Sequence, residues 1–277
     1  VTSTSSVLTT VLADTPGTAP YWPVRVGSPG ERPGPSLADL AGADLLGEAI
    51  AAMDAELDGG AALAAQTLLA RLAGPAAGVP AELLFRSGRV PVPDPARMWF
   101  VTGTGGARTA PQLVLDPGTV VLVLPDDPLA GAAGTETVPD RDRLRARLVE
   151  WTHQAFGPVV ETAVVLSRRG RRALWQVVAD RLGNGFLMSG RASGQLPAAR
   201  AEIETTLGDT GIRPLRLRPD WLEIEHEGTV ELFRRRAVCC LYYKSRVHGE
   251  VYCATCPLLS REESIDRLRT AVADRDR

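Results

Sequence analysis

A chain of 277 residues, 44% of them hydrophobic and 23% charged, has the composition of a globular protein able to bury one large core or two smaller ones. Its formal net charge of -2, from 31 basic against 33 acidic residues, offers no general field for nucleic acid. No run approaches the roughly 18 uninterrupted apolar residues of a membrane span. The start, Val1-Thr-Ser-Thr-Ser-Ser, lacks the basic and apolar regions of a secretory signal, so a cytoplasmic location is expected.

Residues 1–35 are rich in Pro, Gly, Ser and Thr, and the run Pro29-Gly-Glu-Arg-Pro-Gly-Pro35 predicts a flexible arm without regular structure, from which Tyr21 and Trp22 dock on the body. Behind a Ser36 cap, Leu37, Leu40, Leu45, Leu46, Ile50, Met53 and Leu57 recur at helical spacing until Asp58-Gly59-Gly60. A second helix is expected through Leu63, Leu68, Leu69 and Leu72 to Gly74, and a third, short one over 81–85. Residues 98–101, 112–115 and 119–124 are strand candidates. Between the first two, Thr102-Gly-Thr-Gly-Gly106 lacks the Lys-Ser/Thr of a phosphate loop and reads as a hairpin turn.

After Pro139 a charged helix runs through Leu144, Leu148, Trp151 and Phe156. Another spans about 168–187, with Leu174, Trp175, Val178, Leu182 and Phe186 on its apolar face. Residues 221–226 and 229–233 alternate around Glu227-Gly228 as a hairpin whose second strand leads through Arg234, Arg235 and Arg236 into Cys239-Cys240. Residues 241–243 and 250–252 have strand character, which predicts a short ladder placing Cys240 opposite Cys253. Ser260 and Glu263 form a capping box opening a last helix with Ile265, Leu268 and Val272 buried. The expected class is α+β, with helices on a mainly antiparallel sheet: an arm over 1–35, a main domain over 36–230 and a small cysteine-bearing subdomain over 231–277.

All four cysteines, Cys239, Cys240, Cys253 and Cys256, fall in the last forty residues and end in a Cys-x-x-Cys step, a spacing that presents two sulfurs to one metal. In a reducing compartment such a quartet points to a metal rather than to disulfides. Zinc, an iron–sulfur cluster and metal-free thiols all remain open from the residues alone. The adjacent pair favours the larger two-iron group, because neighbouring strand residues face opposite ways. His153 and His226 lie far from the quartet in sequence, so a Rieske-type ligand set is not expected.

The run Arg235-Arg-Ala-Val-Cys-Cys-Leu-Tyr-Tyr243, closing with Cys253-Ala-Thr-Cys-Pro-Leu258, resembles the C-terminal motif of the FhuF-like ferric-siderophore reductases. Arg172-Ala-Leu-Trp175 followed by Val178-Ala-Asp180 is similar to a helix of the same family. The sequence departs from the family pattern in a spacer of twelve residues where about ten is usual, and in Gln176-Val177 where Gly-Asn is usual. The resemblance implies that Cys239, Cys240, Cys253 and Cys256 ligate a [2Fe-2S] cluster that reduces a ferric siderophore by one electron. Arg234, Arg235, Arg236, Lys244, Arg246 and His248 form a basic rim around the motif, and Arg235, Arg236, Lys244, Arg246 and Trp175 are the candidate substrate contacts.

No dinucleotide fingerprint follows a strand, so electrons are expected from an external donor, a ferredoxin or a flavin reductase. The rival readings are a zinc-stabilised ligand-binding module and an iron–sulfur carrier or sensor without its own substrate.

Overall fold

Two long helices, α3 (Ala61–Ser87) and α5 (Arg171–Ala192), cross at the centre of the computed structural model, which describes residues 6–13, 22–101, 111–249 and 251–275. Their contact depends on small residues. A Cβ on Gly185 would collide with the Gly78 carbonyl oxygen and come within 2.8 Å of the Ala81 Cβ, so only glycine permits this approach.

Around this pair lie α2 (Ala43–Leu57), α4 (Arg141–Ser167) and α6 (Leu196–Ile203), the last continuing as a π-helical turn over Glu204–Gly208. Helix α3 passes through Pro75 and Pro80 without interruption, where the Gly and Pro residues at 74–80 predict a break between two helices. An internal proline costs a helix about 3 kcal/mol. Every residue from Leu72 to Leu84 is buried, and that packing outweighs the local penalty. The same helix is long and apolar enough to cross a membrane, yet 78% of its apolar window is buried inside the fold.

The strands form three small sheets among the described residues, so the expected single sheet is divided while the α+β class stands. In the first, β1 (Val24–Val26) runs parallel to β4 (Gln112–Leu115), which pairs antiparallel with β3 (Met98–Val101). In the second, β5 (Val120–Val123) lies between β2 (Val90–Val92), antiparallel, and β6 (Thr135–Thr137), parallel. The third is the hairpin of β7 (Asp220–His226) and β8 (Thr229–Arg235), turned by Glu227 (φ 48°) and Gly228 (φ 75°), and it spans the boundary expected at 230/231.

The arm of residues 1–35 contains regular structure that its composition did not predict. Helix α1 (Val7–Ala13) buries Leu8 and Val11, and β1 pairs Val24 with Leu113. Three residues between Pro23 and Gly27 are too few to show a period, and the strand exists only because a distant partner supplies its ladder. Trp22 docks as expected: its indole lies across Gly74 and Gly78 of α3, where a Cβ on either would come within 2.7 Å of the ring. Tyr21, the expected turn at 102–106 and Glu250 lie outside the described residues.

The hairpin joins the body to the last helix, α7 (Arg261–Arg275). Trp221 and Leu232 enter the main core, whereas Leu222 and Ile224 pack against Leu268 and Val272 of α7. The capping box is present: Glu263 N donates to Ser260 Oγ at 3.0 Å, and Ser260 N donates to the Glu263 carboxylate at 2.7 Å. Arg191 ties the end of α5 to β8 through the Leu232 carbonyl (2.9 Å) and stacks over the Phe233 ring.

Candidate metal centre

Strand β8 ends at Arg235, four residues before the first cysteine. Among the described residues, none from 236 to 258 belongs to a strand, so the expected ladder is absent. Leu241 adopts a left-handed backbone (φ 62°) and opens a 3-10 turn over Tyr242–Lys244, which ends the alternation a strand requires. The loop is instead anchored to the end of α2: Ser245 Oγ donates to the Leu57 carbonyl at 2.6 Å and Arg246 N to that of Asp58 at 3.1 Å. Arg236 N donates to the Thr255 carbonyl at 3.0 Å, joining the two arms that carry the cysteines.

The four thiols converge as two pairs. Cys239 Sγ and Cys256 Sγ are 4.0 Å apart, and the Cys240 and Cys253 thiols are hydrogen-bonded to each other. Each pair joins one residue of Cys239-Cys240 to one of the Cys-x-x-Cys turn, which is closed by Cys256 N donating to the Cys253 carbonyl at 2.9 Å. Two thiolates on one tetrahedral ion, with bonds of about 2.3 Å, stand about 3.8 Å apart. Among the described residues no three metal-ligating side chains meet at one point. Two pairs of thiols match two metal ions with two thiolates each, the ligand arrangement of a [2Fe-2S] group. Cys256 is buried and the other three are partly exposed, so the site lies just below the surface.

Helix α3 fixes this loop from the inside. Gln66, a buried polar side chain on an apolar helix, donates through Nε2 to the Cys239 carbonyl at 2.7 Å. Arg169, at the junction of α4 and α5, donates to Gln66 Oε1 (2.8 Å) and to the same Cys239 carbonyl (3.3 Å). Leu241 N donates to Cys239 Sγ at 3.4 Å. Tyr243 stacks on Tyr252 and Tyr242 on His248, bracing the two arms of the loop.

Cys240 and Cys253 face a cavity of about 440 Å³ between α3, α5 and the loop, with Trp22 and Tyr242 among its apolar walls. Arg71, Arg181 and Arg236 also line it, and none of the three has an ion-pair partner among the described residues. The buried Arg71 Nη2 has no hydrogen-bond partner. Burial holds the Arg181 guanidinium down to about 10, and the like charge of Arg236 adds to that. For Arg236 burial acts in the same direction, but the attraction of Cys240, Cys253 and Asp180 outweighs it and raises the pKa. The hydrogen bond with Cys253 pulls the Cys240 thiol down to about 5 against the effect of burial, with Arg236 assisting. That same bond, together with burial, pushes Cys253 up. Three guanidiniums against the single lining carboxylate of Asp180, which already pairs with Arg234, leave a net positive wall beside the thiols that suits a group of net negative charge, as a four-thiolate cluster is.

The candidate substrate contacts separate in space. Arg236 lines the cavity. Arg235 binds Asp220 (3.0 Å) and the Leu259 carbonyl (2.6 Å), tying the hairpin to the start of α7. Arg246 pairs with Asp58 at the surface and Lys244 is exposed, both outside the cavity lining. Trp175 is buried with one face covered by the stacked His153 ring, and it lies outside the cysteine cavity, at the edge of a separate groove. Arg234, expected on the basic rim, is a buried residue whose guanidinium binds the Asp180 carboxylate, the Asp180 carbonyl (3.0 Å) and Asn184 (3.3 Å). Sequence reasoning did not single out Gln66, Arg71, Arg169 or Arg181. The only available signal was a glutamine inside the apolar stripe of Leu63 and Leu69.

The family model of the FhuF 2Fe-2S C-terminal domain matches residues 236–258, the segment that carries all four cysteines. With the paired thiols, this match identifies the cofactor of the segment as a [2Fe-2S] cluster. No curated protein matches the chain.

Proposed function

We propose that this protein is a cytoplasmic ferric-siderophore reductase, with Cys239, Cys240, Cys253 and Cys256 as the ligands of its [2Fe-2S] cluster. The observation that carries the reading is the convergence of two sulfur pairs, within the segment similar to the FhuF domain, on a cavity lined by Arg71, Arg181 and Arg236.

A [2Fe-2S] cluster supplies single electrons at low potential. Ferric iron in a siderophore is wrapped in hard oxygen donors that hold the ferrous ion far less well, so one added electron releases the metal without a protein ligand to it. The residues then have positional tasks. Gln66 and Arg169 hold the Cys239 carbonyl, and the backbone bond from Arg236 to Thr255 keeps the two cysteine-bearing arms together. The guanidiniums of Arg236 and Arg181 favour anionic oxygens in the cavity, beside the apolar walls of Trp22 and Tyr242.

Metal analysis and electron paramagnetic resonance on the dithionite-reduced protein test the cofactor. Two irons per chain and a one-electron signal are expected, whereas a colourless zinc protein would reject the assignment. Mixing reduced protein anaerobically with a ferric siderophore and a ferrous trap tests the reaction. Reoxidation with stoichiometric trapped ferrous iron is expected, and a reduced protein that stays reduced would leave only a carrier or sensor.

A further inference from the structure

The segment Arg236–Cys240 separates two depressions. Arg236, Val238 and Cys240 line the cysteine cavity, while Ala237 lines a wider groove of about 770 Å³ on the other side. Five arginines line this groove, Arg171, Arg172, Arg213, Arg216 and Arg218, and no carboxylate does. The chain as a whole carries -2, so this concentration does not follow from composition. Arg171 pairs with Glu161, and Arg216 donates to the Thr210 carbonyl at 3.0 Å. The guanidiniums of Arg172, Arg213 and Arg218 have no protein partner among the described residues, and all three residues are exposed.

The groove is held in shape. Gln176 on α5 donates through Nε2 to the carbonyls of Pro214 (3.2 Å) and Arg216 (3.1 Å), which fixes the arginine-bearing loop to the helix. Pro214 stiffens the 3-10 turn Arg213–Leu215 within that loop. Like charges held together in this way repel one another, and an anionic partner that displaces their counterions relieves the repulsion most at low salt. Gln176 is also one of the two positions at which the helix departs from the pattern it resembles, and here it acts as the strut of the arginine loop.

We propose that this groove is the docking surface for an acidic one-electron carrier protein; the inference rests on the reductase reading above. The sequence shows no nucleotide or flavin motif, so electrons come from another molecule. A carrier seated on the groove meets the outer side of the cysteine segment and leaves the cavity on the inner side open to the ferric complex, so the two partners do not compete. The carrier would lose one electron and the ferric ion would gain one, with Cys239, Cys240, Cys253 and Cys256 holding the iron–sulfur group that would relay it. Docking makes and breaks no covalent bond.

The test uses an acidic plant-type ferredoxin in two arms. In the first, redox-inert gallium-substituted ferredoxin is titrated into the full-length protein at low and high salt. Wild type should bind at low salt and lose affinity as salt rises. Replacing all three free arginines by glutamine (R172Q, R213Q, R218Q) should weaken binding at least ~10-fold, and replacing them by glutamate should abolish it. In the second, reduced ferredoxin and methyl viologen radical cation are compared as reductants. The variants should slow by about 10-fold or more with ferredoxin only, with no fall for the viologen and unchanged reoxidation by the ferric complex.

Wild-type affinity without salt dependence, or variants that bind ferredoxin as wild type does, would overturn the proposal. So would variants that accept electrons normally from ferredoxin but lose reoxidation by the ferric complex, since the groove would then belong to the substrate. If wild type holds no iron–sulfur centre, the reductase reading fails, and the binding arm still decides the surface.

Discussion

Gln66 Nε2 lies 2.7 Å from the carbonyl oxygen of Cys239, a bond between the first third of the chain and its last forty residues. Because Gln66 is buried, removing its amide leaves that carbonyl to Arg169 alone, and Arg169 in turn loses its acceptor at Gln66 Oε1. Gln66→Leu should cost about 1–3 kcal/mol in denaturant unfolding, the range for an unsatisfied buried polar group. It should also alter the electron paramagnetic resonance line shape of the reduced centre. A variant matching wild type in both measurements would mean that this contact does not position the cysteine loop.

Gly185 predicts a second effect. A side chain there meets the backbone of Gly78, which lies within a continuous helix and cannot rotate away. Gly185→Val should destabilise the protein by about 2 kcal/mol or more through overpacking, read as a lower denaturation midpoint. Gly157→Ala on α4, where a Cβ meets nothing within 4 Å, should instead raise the midpoint slightly, through about 0.5–1 kcal/mol of helix propensity, and serves as the control.

Asp180 and Arg234 form an ion pair in which both side chains are at most 10% exposed. Breaking a buried pair from one side strands the other charge. Asp180→Asn should therefore cost about 3–5 kcal/mol, and the double change with Arg234→Met should recover part of the loss. Full additivity of the two single changes would show that the pair is not coupled.

Removing the iron should loosen one segment only. Residues 236–258 have no strand ladder among the described residues and are held by a few loop hydrogen bonds and the four sulfurs. Chelation under reducing conditions should raise amide exchange across 239–256 while α3 and α5 keep their protection, because metal binding supplies local folding energy to such a loop. Equal loosening throughout the body would contradict this division.

What the sequence made legible was whatever local pattern decides. The helices at 43–57, 141–167 and 171–192 carry their own period, Glu227-Gly228 dictates a tight turn, and Ser260 with Glu263 writes the start of α7. The cysteine spacing named the centre but not its architecture, since a single left-handed residue, Leu241, replaced the expected ladder with a turn. Pro75 and Pro80 announced a break that burial on all sides overrode. Arg71 and Arg181 reach the site from separate helices, and nothing near either residue in sequence records that they meet. Arg234, Arg235 and Arg236 read as one exposed basic edge, yet their side chains go to a buried carboxylate, to the start of α7 and to the cavity.

Most of the cysteine cavity's wall, from Trp22, residues 66–74 and residues 177–181, precedes Cys239 in the chain, and Cys240, Tyr242 and Cys253 complete it. During synthesis the helical part of the receptacle therefore leaves the ribosome before any thiol does. Domains fold N-terminal parts first during synthesis, so the helical wall can form before the tail that brings the four sulfurs closes the cavity.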